Sequence, residues 1–457
     1  MRRLLSEFAK ACGGTLIGAD RPYGNVSSDT RTIAAGDLFI ALHGPRFNGN
    51  DFVGAAQAAG AVAAVVDRPG GEGIARILVA DTQSALTRAA AAWRSRFARP
   101  LVAVAGSNGK TTVKEMIATI LATAGTTLST RGNFNNHIGV PLTLLRLTDE
   151  HRFAVIEVGA NHPGEVAALN EIVRPDVGIV TNAGAEHLEG FGSLEGVARA
   201  EGELFAGLAP GATAVINADD EFASLWRSMA PGPQASFGVR AAADYRATDV
   251  QSSVDGDGFL TRFALIAPAG RTQIELRLAG MHNVLNATGA AAAAMTAGAT
   301  LEQVRHGLAG MRAVAGRLQF KLARAAWIID DSYNANPSSM HAAVDVLVSL
   351  AGRRWLVIGD MGELGDHAER SHVELGRYAR AQGVDRLFAT GPLSALAVEA
   401  FGAGAEWFAD TVSLAAAIEP QLAADVRILI KGSRMNRLER VVDHLVGEAR
   451  PQGKDLH

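Results

Sequence analysis

The sequence predicts an α/β protein of three domains built on largely parallel sheets. Three observations carry that reading. Short apolar runs rich in Val and Ile alternate with helical stretches, the alternation breaks and restarts near residues 99 and 316, and 457 residues are too many for one core. Hydrophobic residues make up 48% and charged residues 20%, the balance of a soluble globular chain. A net charge of −4 argues against nucleic acid or an anionic membrane as the main partner. The one cysteine, Cys12, rules out an intramolecular disulfide and a cysteine-built zinc site. Met1-Arg-Arg-Leu-Leu has the start of a signal peptide, but Glu7 and Lys10 interrupt the apolar stretch. The Ala290–Ala297 run is small-sided and lacks leucine, so no membrane span is expected and a cytoplasmic location is.

The first domain is expected over residues 1–98. Leu38-Phe-Ile-Ala-Leu42 and Ala61-Val-Ala-Ala-Val-Val66 read as buried strands, with a helix over Asp51–Gly60 between them. Asp29-Thr-Arg31 and His43-Gly-Pro-Arg-Phe-Asn-Gly-Asn50 are its polar loops. They suit ordinary turn chemistry or an anion site with Arg31 as a phosphate fork.

The second domain, 99–315, starts at an Arg99-Pro100 linker. Leu101-Val-Ala-Val-Ala105 reads as a strand buried on both faces, Gly106-Ser-Asn-Gly109 as the loop that ends it, and Lys110-Thr-Thr112 as the start of a helix. That order makes a phosphate site, because first-turn amides have no intrahelical acceptor and the helix dipole adds positive charge. Lys110 would reach the β- and γ-phosphates and Thr111 would hold Mg²⁺. Val104 stands where the usual loop pattern has its leading glycine. Further strands are expected at Phe153–Val158, Val177–Thr181 and Thr213–Asn217, with helices after Gly109, Gly164 and Leu194. In such sheets sites gather at the carboxyl ends of strands. Here those ends carry Gly106–Thr111, Glu157–Asn161 and Asn182–His187. Glu157 interrupts an apolar run, and a buried carboxylate calls for a partner such as a metal. Alternation around Asp255-Gly-Asp-Gly258 suggests an antiparallel insert near 245–278.

The third domain, 316–457, restarts the pattern with strands at Trp327–Asp331, Trp355–Asp360, Arg386–Thr390 and Arg427–Lys431, each followed by a helical stretch. Residues 451–457 read as a loose tail.

Together these motifs resemble one family, the ATP-dependent Mur ligases of bacterial cell-wall synthesis. Gly106-Ser-Asn-Gly-Lys-Thr-Thr112 looks like their P-loop, which also lacks the leading glycine. Glu157-Val-Gly-Ala-Asn161 and Thr181-Asn-Ala-Gly-Ala-Glu-His187-Leu-Glu-Gly-Phe-Gly-Ser193 resemble their metal-binding segments, and Asp29-Thr-Arg31 with Gly36-Asp-Leu-Phe39 resembles their UDP-binding domain. Asn133–Leu145, Asp331–Ser338 and Gly359–Gly365 are most similar to the branch that joins D-alanyl-D-alanine to UDP-N-acetylmuramoyl-tripeptide (UDP-MurNAc-tripeptide). The Asp-Asn-Pro-Arg of the diaminopimelate-adding branch is absent.

The resemblance implies a central P-loop-type ATPase domain between an N-terminal UDP-binding domain and a C-terminal Rossmann-like domain that takes the dipeptide. It implies an amide ligase that uses ATP and Mg²⁺ and passes through an acyl phosphate; a monomer is expected, although residue order leaves the oligomeric state open. Lys110 and Gly106, Ser107, Asn108 and Gly109, with Thr111 and Thr112, would hold phosphate. Thr111, Glu157 and His187 would bind metal, although by spacing alone His187 is an ordinary polar loop residue. Many relatives place a carbamylated lysine after that histidine. Glu201 stands there instead, and no lysine occurs between Lys114 and Lys321, so Glu201 is expected to supply the carboxylate directly unless it is only a solvated helix residue. Asn283 would touch adenine, Arg317 would meet phosphate on domain closure, and Asp331 would accept from the ribose. Ser28, Asp29, Thr30, Arg31 and His43 would hold UDP, with Asn135 and Asn136 across the gap. Relatives often carry histidine where Asn50 stands, which leaves the role of Asn50 open. Tyr333, Asn334 and Asn336 would face the dipeptide, Asp360 and Glu363 its ammonium, and Lys431, Ser433 and Arg434 its carboxylate. Glu363 and His372 are candidate bases. The rivals are a folylpolyglutamate-type ligase, whose chain begins with the P-loop domain, and an NTPase switch without a carboxylate acceptor.

Overall fold

The computed structural model describes residues 3–70, 73–185 and 188–447. Its strands form three main sheets, one in each third of the chain. The first has five strands, in the order Thr15–Ile17, Ala75–Leu78, Ala63–Val66, Leu38–Ile40 and Val26–Ser27. The expected helix at 51–60 is a 3₁₀ turn, Gly49–Phe52, followed by a short α-helix, Val53–Ala58. The Asn48 side chain accepts the Asn50 amide and starts the turn early.

The central sheet has nine strands: Gly270–Leu276, Gly258–Ala267, Tyr245–Asp255, Gln234–Gly238, Thr213–Asn217, Val177–Val180, Leu101–Ala105, Phe153–Glu157 and Thr127–Ser129. Pairing is parallel from Thr127–Ser129 as far as Tyr245–Asp255. The expected insert is two successive antiparallel hairpins that extend this same sheet. Leu101–Ala105 lies between the strands that follow it in both directions, which opens a crevice at its carboxyl end.

All five residues of that strand are fully buried. Leu101, Ala103 and Ala105 join a core shared with Leu5, Trp93 and Phe97 of the first third, whereas Val102 and Val104 pack with the alanine-rich helix Met281–Thr296. A continuous apolar run is what a strand covered on both faces requires. The alanines at 290–294 are all fully buried, and no described helix is long and apolar enough to cross a membrane.

The last sheet has six strands, in the order Gln319–Ala323, Ala326–Asp330, Val426–Lys431, Arg353–Ile358, Arg386–Thr390 and Ala405–Phe408. Only the first pair is antiparallel. The expected strand at 355–360 stops at Ile358, so Asp360 sits in the loop beyond it. Arg94, 8% exposed, fastens the first third to the second by donating to the carbonyls of Val173 and Arg174. The tail at 451–457 and His187 lie outside the described residues.

Candidate active site

A cleft of about 710 Å³ opens where the carboxyl ends of the central strands face the last third of the chain. The loop at 106–109 forms its floor. Gly106 has φ +119°, and a Cβ there would collide with the Thr181 hydroxyl; Gly109 has φ +82°, and a Cβ would lie 2.7 Å from Asn286 Oδ1. Both positions therefore need glycine. The helix Lys110–Ala122 starts at Gly109.

The expectation that the loop amides all serve phosphate needs correction. Gly106 N donates to Glu201 Oε2 at 2.7 Å, Ser107 N to the Asn182 carbonyl at 2.9 Å, and Asn108 N to Asn182 Oδ1 at 3.0 Å. These bonds fix the loop's shape, and those three amides are already engaged within the protein. Lys110 Nζ meanwhile lies 3.0 Å from the Ser107 carbonyl, folded over the loop. Residue order places Asn182 only within the segment Thr181–Ser193 and does not distinguish it there. Its position just past the strand Val177–Val180 is the signal that could have singled it out.

Glu157 closes its strand at 2% exposure. Oε1 accepts from Asn135 Nδ2 at 2.9 Å, while Oε2 is buried without a hydrogen-bond partner among the described residues. An orphaned buried carboxylate oxygen beside a phosphate loop fits a divalent cation. Thr111 lines the same cleft. Glu201 is 3% exposed, which excludes the solvated alternative, and one of its oxygens is engaged by Gly106.

The far wall comes from the last third. Arg317 stacks its guanidinium 4.3 Å from the Tyr333 ring centroid and donates to Thr111 Oγ1 at 3.1 Å. Asp331 accepts the Leu318 amide and pairs with Lys431 at 2.7 Å, and Lys431 also donates to the Asn334 carbonyl. Lys431 is therefore held inside the wall, not extended toward a ligand carboxylate as expected. Asn336 Oδ1 caps the helix Pro337–Val348 through Ser339 N, and its Nδ2 donates to Asn108 Oδ1 at 2.8 Å, so it binds the loop and its own helix. Asn283 donates to the Ala279 carbonyl and accepts from Asn286. Asn136 Oδ1 accepts the amides of Ile138 and Gly139 at the start of the helix Gly139–Leu144. His282, not anticipated, also lines the cleft, and burial holds its imidazole below the ordinary histidine range against the pull of Asp331.

Other expected residues lie elsewhere. Asp360 Oδ1 accepts from the amide and hydroxyl of Ser394, which turns it away from an incoming ammonium. His372 is fully buried with both ring nitrogens engaged, so it cannot serve as the base. Glu363 is exposed at φ +61° and, like Ser433 and Arg434, is not part of the cleft lining. Ser28, Asp29, Thr30 and Arg31 sit on the first domain, apart from the cleft lining. Arg31 grips Asp29 with Nε and Nη2, and that hydrogen bonding holds the Asp29 carboxyl below its usual range. His43 Nε2 lies 2.5 Å from Asp67 Oδ2, and Asn50 Nδ2 donates to Asp67 Oδ1, which gives Asn50 a local partner.

Three family models match the chain in order. They are the "Mur ligase family, catalytic domain" over residues 22–94, the "Mur ligase middle domain" over 104–294 and the "Mur ligase, glutamate ligase domain" over 316–434. A UDP-N-acetylmuramoyl-tripeptide–D-alanyl-D-alanine ligase of Escherichia coli K12 is 45% identical over 96% of this chain and 97% of its own. A crystal structure of MurF from Acinetobacter baumannii is similar with a TM-score of 0.90 at 35% identity, covering 98% of this chain and 99% of that one. The MurF ligase of Thermotoga maritima in complex with ADP is similar with a TM-score of 0.82 at 27% identity, covering 93% and 97%. With three family models matched in order and a 45% identical relative matched over 96% of its length, the chain belongs to the Mur ligase family.

Proposed function

We propose that this chain is an ATP-dependent ligase that joins D-alanyl-D-alanine to the terminal carboxylate of UDP-MurNAc-tripeptide. The observation that carries the reading is one cleft lined by Lys110 and its loop, by Glu157 with an oxygen that has no hydrogen-bond partner among the described residues, and by Arg317. ATP would phosphorylate the peptide carboxylate, and the dipeptide amine would displace phosphate to form the amide. Two polyanions must approach, so the protein has to offset their repulsion. Lys110 and the helix first turn would hold the β- and γ-phosphates, and Arg317 would meet them from the opposite domain. Mg²⁺ would fit Glu157 Oε2 and Thr111, with His187 and Glu201 as further candidates, and would neutralise phosphate charge.

The domains at 1–98, 99–315 and 316–457 would bring UDP, ATP and dipeptide respectively, with Ser28–Arg31 and His43 on the first and Tyr333 and Asn334 on the third. The same reading has the enzyme act as a monomer in the cytoplasm. Phosphate release and product mass test it. Release should require both UDP-MurNAc-tripeptide and D-Ala-D-Ala, in step with a new amide. Release indifferent to both would return the NTPase reading.

A further inference from the structure

The phosphate-loop helix carries a second lysine. Lys114 lies about one turn beyond Lys110 and is fully buried. An ammonium persists at such a site only when paired and hydrogen-bonded. Its Nζ is ion-paired with Glu115 and donates to the Thr130 carbonyl at 2.8 Å. Thr130 is 1% exposed and directly follows the strand Thr127–Ser129. Its amide donates to the Val155 carbonyl, and its hydroxyl oxygen accepts the Glu157 amide at 3.0 Å. A buried line of hydrogen bonds therefore runs from Lys114 through Thr130 to the backbone of Glu157. Asn135 holds the same residue at its side-chain end.

Neither Lys114 nor Thr130 lines the cleft. Only the lysine of this pair is buried, the Glu115 side chain being 36% exposed, and such a pair adds little stability that a well-packed apolar side chain would not. What the ammonium contributes is a directional bond to one carbonyl. Glu157 is the last residue of its strand, beyond the last pair that strand makes with Thr127–Ser129. We infer that Lys114 and Thr130 are positioning residues that set where the Glu157 carboxylate meets the cation; this rests on the proposed reading of Glu157 as a metal-binding carboxylate.

Thr130→Val removes the hydroxyl at nearly constant shape, and Thr130→Ser retains it. Lys114→Met removes the ammonium at similar length. In the full-length enzyme, Thr130→Val and Lys114→Met should raise the Mg²⁺ concentration for half-maximal turnover about tenfold or more. The KM for the UDP-linked peptide should stay within about twofold, and Thr130→Ser should restore most of the loss. Calorimetric titration with ADP gives a readout apart from turnover. Metal-free affinity should match the wild type, and the gain in affinity on adding Mg²⁺ should shrink.

Equal behaviour of Thr130→Val and Thr130→Ser in both assays overturns the inference, whether both match the wild type or both fall alongside their melting temperatures. Glu157→Gln separates the two claims. If it leaves the Mg²⁺ response intact, the reading of Glu157 fails and takes the inference with it. If it abolishes the response while Thr130→Val and Lys114→Met preserve it, only the inference fails. Should Lys114→Met not fold, the Thr130 pair decides alone.

Discussion

Both ring nitrogens of His372 have backbone partners. Nε2 accepts the Met361 amide at 3.0 Å, which assigns the proton to Nδ1 for donation to the Ala368 carbonyl. Burial lowers its pKa from 6.5, so the folded protein keeps it neutral. The sign of the pH effect follows. The unfolded chain binds this proton more readily, so the stabilisation is complete above about pH 6.5 and is lost as pH falls through the lower folded value. Burial also lowers His151, His282 and His341, and the losses act in the same direction. Thermal melts at pH 7.5 and 5.5 should show a drop that is smaller in His372→Gln than in the wild type. An unchanged drop would mean that another group sets the slope. Residue order alone makes His372 a candidate base; its buried ring is not legible there.

At the level of elements, the legible pieces were those whose burial is uniform. Leu101–Ala105 is covered on both faces, and its unbroken apolar run says so. The edge strands Gln319–Ala323 and Ala405–Phe408 mix buried, half-buried and exposed positions, and neither was expected. The helix Met281–Thr296 is uniformly buried along residues 290–294 and packs through small side chains. Its alanines allow close approach to the sheet, with Ala291 fully buried beside Phe237 and Phe263 in one core. Ala291→Leu should overpack that contact and cost about 1–3 kcal/mol, read from the urea midpoint at constant m-value. Stability unchanged within about 0.5 kcal/mol would show that the helix has room the burial denies. The phosphate loop was recognisable from glycine spacing, but the destinations of its amides were not. Glu201 and Asn182 reach it from 95 and 74 residues along the chain.

For the whole molecule, the coupling of the last domain to the phosphate loop passes through Asn108. Its side chain accepts from Asn336 Nδ2 and donates to Ser338 Oγ, while its carbonyl accepts from Thr181 and Asn182. Asn336 therefore has two separable roles. Asn336→Ala should cost about 1 kcal/mol through the lost helix cap. Asn336→Asp keeps a capping oxygen but loses the donor, so it should melt near the wild type. Its ligation rate should still fall about 10- to 100-fold, because the lost Asn336–Asn108 bond is one of those that hold the domains in register. A full rate in Asn336→Asp would remove the bridge from the mechanism. Residue order by itself determined the three α/β domains, the phosphate loop, the Glu157 strand end and the family, since each depends on local pattern or on a short run of specific residues. Only the tertiary structure decided that Lys431, Asp360 and Asn336 are held within the protein, that one Glu157 oxygen has no hydrogen-bond partner among the described residues, and that Lys114 and Thr130 stand behind it. Hydrogen bonds between distant segments choose their partners through the packing of whole domains, and that choice leaves no periodic trace in the order of the residues.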